Sequence, residues 1–285
     1  MGSALVHIVV SKYGTIDDEE IERITETMQE CYSRLAPHDV SLVDLCIFER
    51  SSSVRAFFAK EFREVGVASV PFDELFFAMH DAWRGIPRRS LCLEKMEKLT
   101  RFVKIGGIRH EVGHSILHGD LRYYLLSFPP ALLKIADQFN LSFEYSANLL
   151  YLISIAVKDY EVTRLLHRRG YVEDQIAYVK HLLKVSEDDV LSWEISQGKP
   201  PAEALHLISH LKAAASAAPF LFDKKFGAEI RGYLVESLSY LSVDRSILLL
   251  ELIEKGFQSL EKDTLNNVDR IVRKCKPIFE VVFNR

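Results

Sequence analysis

GGIRHEVGHSILHGD, Gly106 to Asp120, sets three histidines, a glutamate and an aspartate beside Ile108, Val112, Ile116 and Leu117. The apolar residues recur at helical spacing and mark one buried side of an α-helix. His110, Glu111 and His114 border that side, so the helix is read as half-buried, with Gly119 placed to end it. Gly113 in its interior costs about 1 kcal/mol relative to alanine; close approach of another backbone is what glycine permits in return. The stretch also divides the chain. Before it, strand-like and helical runs alternate; after it, only helical patterns follow. The expected class is α+β: a mixed domain over residues 1–171 with a small sheet and this helix, then an all-helical C-terminal region over 172–285.

Working outward, ALVHIVV (Ala4–Val10) reads as a buried strand and IDDEEIERITETMQECYSRL (Ile16–Leu35) as a helix with acidic residues in its first turn. VSLVDLCIFE (Val40–Glu49) alternates like a second strand. SSSVRAFFAKEFREVG (Ser51–Gly66) carries an N-terminal serine cluster and a closing glycine, which predicts a helix. DELFFAMHDAW (Asp73–Trp83) reads as a third strand, followed by the turn RGIP. Downstream, PPALLKIADQF (Pro129–Phe139) begins with prolines where a helix tolerates them. Ser142–Gly170 reads as one long helix that Gly170 ends, and helical spacing continues through Val172–Lys184, Pro200–Ala217, Ala228–Leu241, Arg245–Leu260 and Thr264–Cys275.

His110, Glu111 and His114 form HExxH. On a helix, residues i and i+4 share a face about 6 Å apart along the axis. Two imidazoles can converge from there on one zinc at about 2.0–2.1 Å each. Glu111 projects about 100° around the helix from His110, beside such a metal without ligating it. There it can take a proton from a water whose pKa the metal lowers to about 7. In a chain with ten histidines, HExxH arises by chance on the order of 0.03 times, so the motif is read as a site; the competing reading, a surface helix with incidental histidines, requires an accident. His118 lies about 12 Å along the axis from His110. One zinc cannot bridge that distance, so His118 is read as a capping or supporting residue. A catalytic zinc still needs a third protein ligand and one open position.

HEVGH, followed by DYEVTRLL (Asp159–Leu166) and then Gly170-Tyr171, resembles the gluzincin pattern of the minigluzincins and of the soluble cores of the heat-shock and CAAX-processing membrane metalloproteases. The resemblance spans roughly Ser41 to Tyr171. It implies a zincin-like catalytic fold, a Zn2+ cofactor bound by His110, His114 and Glu161, and Glu111 as the general base. Those families often carry an acidic residue three or four positions after the glutamate, where this chain has Arg164 and Leu165. An i,i+3 pair with Arg164 is the competing role for Glu161; Asp159 is the second candidate ligand and Glu144 the third. The resemblance also implies an edge strand ahead of the motif helix, on which an extended peptide lies. Leu75–His80 is the candidate, with an interior core strand as its competing reading. An oxyanion stabiliser is needed as well, and Tyr123, Tyr124, Arg164, His167 and Tyr171 are eligible.

Composition limits the alternatives. The chain has 285 residues, 48% of them hydrophobic, and a net charge of −4. It can bury a full core, and the charge argues against a broad nucleic-acid surface. Cys31, Cys46, Cys92 and Cys275 include no CxxC pair, so they read as buried thiols of a reducing compartment. The N-terminal apolar run is too short, and lacks the basic flank, for a signal peptide. Ala147–Val157, the longest apolar run, falls short of the roughly 20 residues that span a bilayer. The expected protein is therefore a cytoplasmic zinc metallopeptidase acting on a peptide or protein substrate, with no nucleic acid and no membrane span. The alternative is a non-catalytic or weakly catalytic zincin scaffold serving as a regulatory or interaction module.

Overall fold

The chain is α+β, with a small mixed four-stranded sheet and a helical C-terminal region, as expected. The computed structural model describes residues 5–64 and 77–284. The chain groups into two compact units, Met1–Leu125 with Arg169–Gln175, and Leu126–Arg168 with Ile176–Arg285.

The first unit contains β1 (His7–Tyr13), α1 (Asp18–Leu35), β2 (Leu42–Phe48), α2 (Ser51–Glu64), β3 (Ala78–Asp81), β4 (Arg88–Cys92), α3 (Leu93–Met96) and α4 (Arg101–His118). Asp17 caps α1 by accepting from the Glu19 amide, and Asp18, Glu19 and Glu20 fill its first turn, as the helix dipole favours. Ile24, Met28, Cys31, Tyr32 and Leu35 form its buried stripe. The sheet order is β1-β2-β4-β3. β1, β2 and β4 run parallel, and β3 is antiparallel to β4 with Ala78 opposite Leu91 and Asp81 opposite Arg88. Gly85 turns the β3–β4 connection with φ +76, a conformation in which a side chain is strained, and its amide donates to Ala82 O. Among the described strands β3 lies at an edge, as expected of the strand before the motif helix. Asp73–Phe76 of the expected third strand, Ala4 of the first and Val65–Gly66 of the second helix lie outside the described residues.

α4 packs on α1 and β3. Close approach occurs at Gly107, where a Cβ would stand 2.2 Å from Cζ of the buried Phe77 ring, one residue before β3. This glycine lets α4 lie against the start of the strand. Gly119 ends the helix as expected, though at φ −77 and not in the left-handed form. A Cβ there would press on Ser115 O at 2.3 Å.

The second unit holds α5 (Pro130–Gln138), α6 (Phe143–Arg168), most of α7 (Glu173–Leu182), α8 (Glu187–Ser196), α9 (Pro200–Ser209), α10 (Leu211–Ala217), α11 (Gly227–Ser237), α12 (Val243–Glu251) and α13 (Thr264–Phe283). α6 is its central helix. Every residue from Ala156 to Thr163 is buried, and α6 packs against α9, α10 and α13. That packing sets the division of the chain: α5 and α6 belong with the C-terminal helices, whereas the sequence boundary at Tyr171 assigned them to the first domain. Arg245 is fully buried, with Nε and Nη2 donating to Glu203 Oε1 at 2.8 and 2.7 Å. No described helix is long and apolar enough to cross a membrane.

Gly107→Ala forces the Phe77 ring to move, so unfolding in denaturant should show a loss of about 1–3 kcal/mol. An unchanged midpoint would show that β3 and α4 do not depend on this contact.

Candidate metal centre

His110, Glu111, His114, Ser115 and His118 of α4 are all buried. The His110 and His114 rings meet edge to face with centroids 4.8 Å apart, the outcome of i,i+4 spacing. From β3, His80 stacks flat on His114 at 3.5 Å between centroids. Its Nδ1 stands 3.0 Å from Glu111 Oε2. One ligand-capable atom from each of His80, Glu111 and His114 falls within 4.8 Å of the others, a spacing able to hold a metal ion. Imidazole and carboxylate donors suit zinc and its first-row neighbours. The motif's own imidazoles, His110 and His114, are donors that suit zinc, whereas Glu111, counted in this group, stands in the motif beside the metal and not on it.

Supporting contacts fix these rings. His118 Nδ1 lies 3.2 Å from His114 Nδ1, which leaves Nε2 as the His114 nitrogen that can serve a metal. A hydrogen-bonded far nitrogen is what orients a ligating imidazole. His118 itself rests edge-on against Tyr123 at 5.3 Å. On another side of α4, Tyr32 Oη and Ser115 Oγ are 2.7 Å apart, Ser115 Oγ donates to Val112 O at 2.7 Å, and Arg89 Nη2 donates to Tyr32 Oη at 3.3 Å. This chain of hydroxyls ties the helix to α1 and β4.

The five oxyanion candidates separate by their contacts. Tyr124 lies 6.2 Å from the His80 ring, edge-on. Burial, then the nearby Asp81 charge, pushes its phenol far above the usual range, so it remains a proton donor. Tyr123 faces His118. The Tyr171 hydroxyl donates to Glu30 while Arg34 and Arg109 each lie 4.3 Å from its ring centre. In the second unit, Arg164 donates to Leu260 O and Glu261 O, and His167 bonds Asp223 at 3.1 Å.

The carboxylates considered as third ligands all belong to α6 in the second unit. Glu144 is exposed in its first turn. Asp159 is buried. Glu161 is buried as well, and α13 grips it: Thr264 Oγ1 donates to Oε2 at 2.7 Å and Asn267 Nδ2 to Oε1 at 2.5 Å. Arg164, the partner in the competing i,i+3 reading of Glu161, turns to the backbone at Leu260 and Glu261. Beside these acids, burial brings Lys158 down to about 8 against the opposing pull of Asp159 and Glu161.

Sequence reasoning missed His80 as a site residue. It lay inside the strand expected ahead of α4, but its place over His114 depends on how β3 packs on the helix. The four cysteines are buried and free. Burial pushes Cys31 and Cys275 up to about 12 and Cys46 to about 11, so these three supply no thiolate at neutral pH.

Comparison with protein-family models, curated proteins and solved structures finds no match to this chain.

Asn267→Leu removes an α13 donor from a buried carboxylate. Its expected cost is about 1–3 kcal/mol, read by denaturant unfolding; no change would show that Glu161 does not depend on Asn267.

Proposed function

We propose that this chain is a zinc-dependent metallopeptidase of zincin-like type, with His110 and His114 as ligands and Glu111 as general base. The observation that carries the reading is HExxH buried on α4, with Glu111 and His114 against His80 of the edge strand β3. Zinc bound there supplies Lewis acidity, polarising a peptide carbonyl and acidifying water. Glu111 takes the proton of the attacking water and returns it to the departing amine. His80, 3.0 Å from its carboxylate, orients that base. His118 holds the His114 ring by its far nitrogen. The outer edge of β3 offers backbone groups for an extended substrate, and Tyr124 has a proton to give to a developing oxyanion. The free thiols fit a reducing, cytoplasmic setting.

The resemblance to gluzincins assigns the third ligand to Glu161. The grip of Thr264 and Asn267 on that carboxylate suits the assignment, since ligating carboxylates are themselves hydrogen-bonded. The same contacts favour a second reading, a zincin-like scaffold with little or no catalysis, because they give Glu161 a structural role in joining α6 to α13.

Purified protein should carry a zinc equivalent that His110→Ala and His114→Ala both remove, measured by elemental analysis. Full retention by both variants would overturn the site. Glu161→Gln should weaken that equivalent more than Asp159→Asn or Glu144→Gln; a larger effect of Asp159→Asn transfers the ligand role to Asp159. Glu111→Gln should lower turnover of a peptide library by at least about 10²–10⁴-fold while zinc is kept. Zinc binding without cleavage by wild type would favour the scaffold.

A further inference from the structure

We propose that His206, His210 and Tyr240 form a second metal site, holding one zinc ion within the helical unit independently of α4. His206 lies in the last turn of α9, and His210, the residue that follows the helix, keeps helical dihedrals of φ −64 and ψ −24. The two rings therefore share a face, with centroids 4.8 Å apart. Tyr240, three residues beyond α11, brings its hydroxyl between them.

Three electron-pair donors converge here. The two Nε2 atoms are 3.1 Å apart, Tyr240 Oη is 3.1 Å from His206 Nε2, and the same oxygen is in close contact with His210 Nε2. Neutral groups form linear hydrogen bonds along at most two sides of this triangle. Each Nε2 is either one donor or one acceptor, and the phenol has one proton. If His206 donates to Tyr240 and Tyr240 to His210, the contact between the histidines has no proton. Every other neutral assignment likewise leaves one side of the triangle without a linear hydrogen bond. A cation at the centre accepts all three lone pairs. Nitrogens 3.1 Å apart, each about 2.0–2.1 Å from a metal, subtend about 100° there, close to the tetrahedral angle of zinc.

The surroundings favour a cation. The Asp189 carboxylate acts on all three groups. It is itself fixed by the Ser186 amide and hydroxyl at 2.8 and 2.7 Å. Two imidazoles and a phenol oxygen select zinc and its neighbours over calcium or magnesium. Such an ion would cross-link the end of α9 to the turn after α11.

The test is calorimetric titration of Zn2+ into the chelator-stripped full-length chain, comparing wild type with His206→Gln/His210→Gln and with Tyr240→Phe. The double variant should lose one zinc equivalent relative to wild type, whether or not α4 binds metal. Tyr240→Phe keeps the ring and should weaken that equivalent at least about tenfold, the lower end of what even residues behind a ligand contribute. Equal stoichiometry in the double variant and wild type overturns the site. If the double variant does not fold, Tyr240→Phe decides: weakened binding supports the site, and unchanged binding of every equivalent overturns it. Failure of the α4 site would show separately, as His110→Ala leaving the zinc count unchanged.

Discussion

α4 buries His110, Glu111, His114 and His118 within little more than two turns of one helix. Polar groups removed from water cost several kcal/mol unless they are partnered, so the surrounding fold has to deliver partners to this ridge. The short edge strand β3 supplies His80, which reaches Glu111 and covers His114. The turn after α4 supplies Tyr123 against His118. The sheet order that leaves β3 outermost among the described strands, and the glycine that lets Phe77 close on α4, both serve this meeting. Without β3 in place, Glu111 would lose the imidazole that faces it.

The helical unit handles buried charge in a similar way. Glu161 from α6 is held by Thr264 and Asn267 of α13, and Arg245 before the middle of α12 by Glu203 of α9. Such pairs add little net stability over apolar substitutes, but breaking one partner leaves an uncompensated charge. They therefore fix which helix faces which. His206, His210 and Tyr240 differ from these pairs, because two imidazole nitrogens and a phenol oxygen meet there with no carboxylate among them.

Periodicity made much of this legible. Apolar spacing located α4 and its glycine stop, the acidic first turn located α1, and the strand-like run Asp73–Trp83 ahead of the turn RGIP located the strand beside the motif. β4 was not legible. Its sequence, RRSLC, opens with two arginines, yet all five residues are buried. Arg88 is matched by Asp81 across the hairpin and Glu61 from α2, and Arg89 by Tyr32, all of which are tertiary partners. α8 was passed over although Ser186 and Asp189 form a capping box at its start; its weak apolar pattern hid the signal. The run Arg245–Leu260, which reads as one helix, widens into a π-helical turn over Leu252–Gly256, and Pro200–Ala217 breaks at His210. HExxH was readable because its spacing is local. His80 and the grip on Glu161 were not, because each needs a second element brought close.

The central claim is that His110 and His114 bind zinc with Glu111 standing free of it as the base. Anomalous diffraction measured on both sides of the zinc absorption edge, from crystals of the zinc-loaded protein, tests this directly. The account predicts a peak at about 2.0–2.1 Å from an imidazole nitrogen of His110 and of His114, with the Glu111 carboxylate beyond bonding distance. A peak ligated by Glu111, or none at α4, would contradict it.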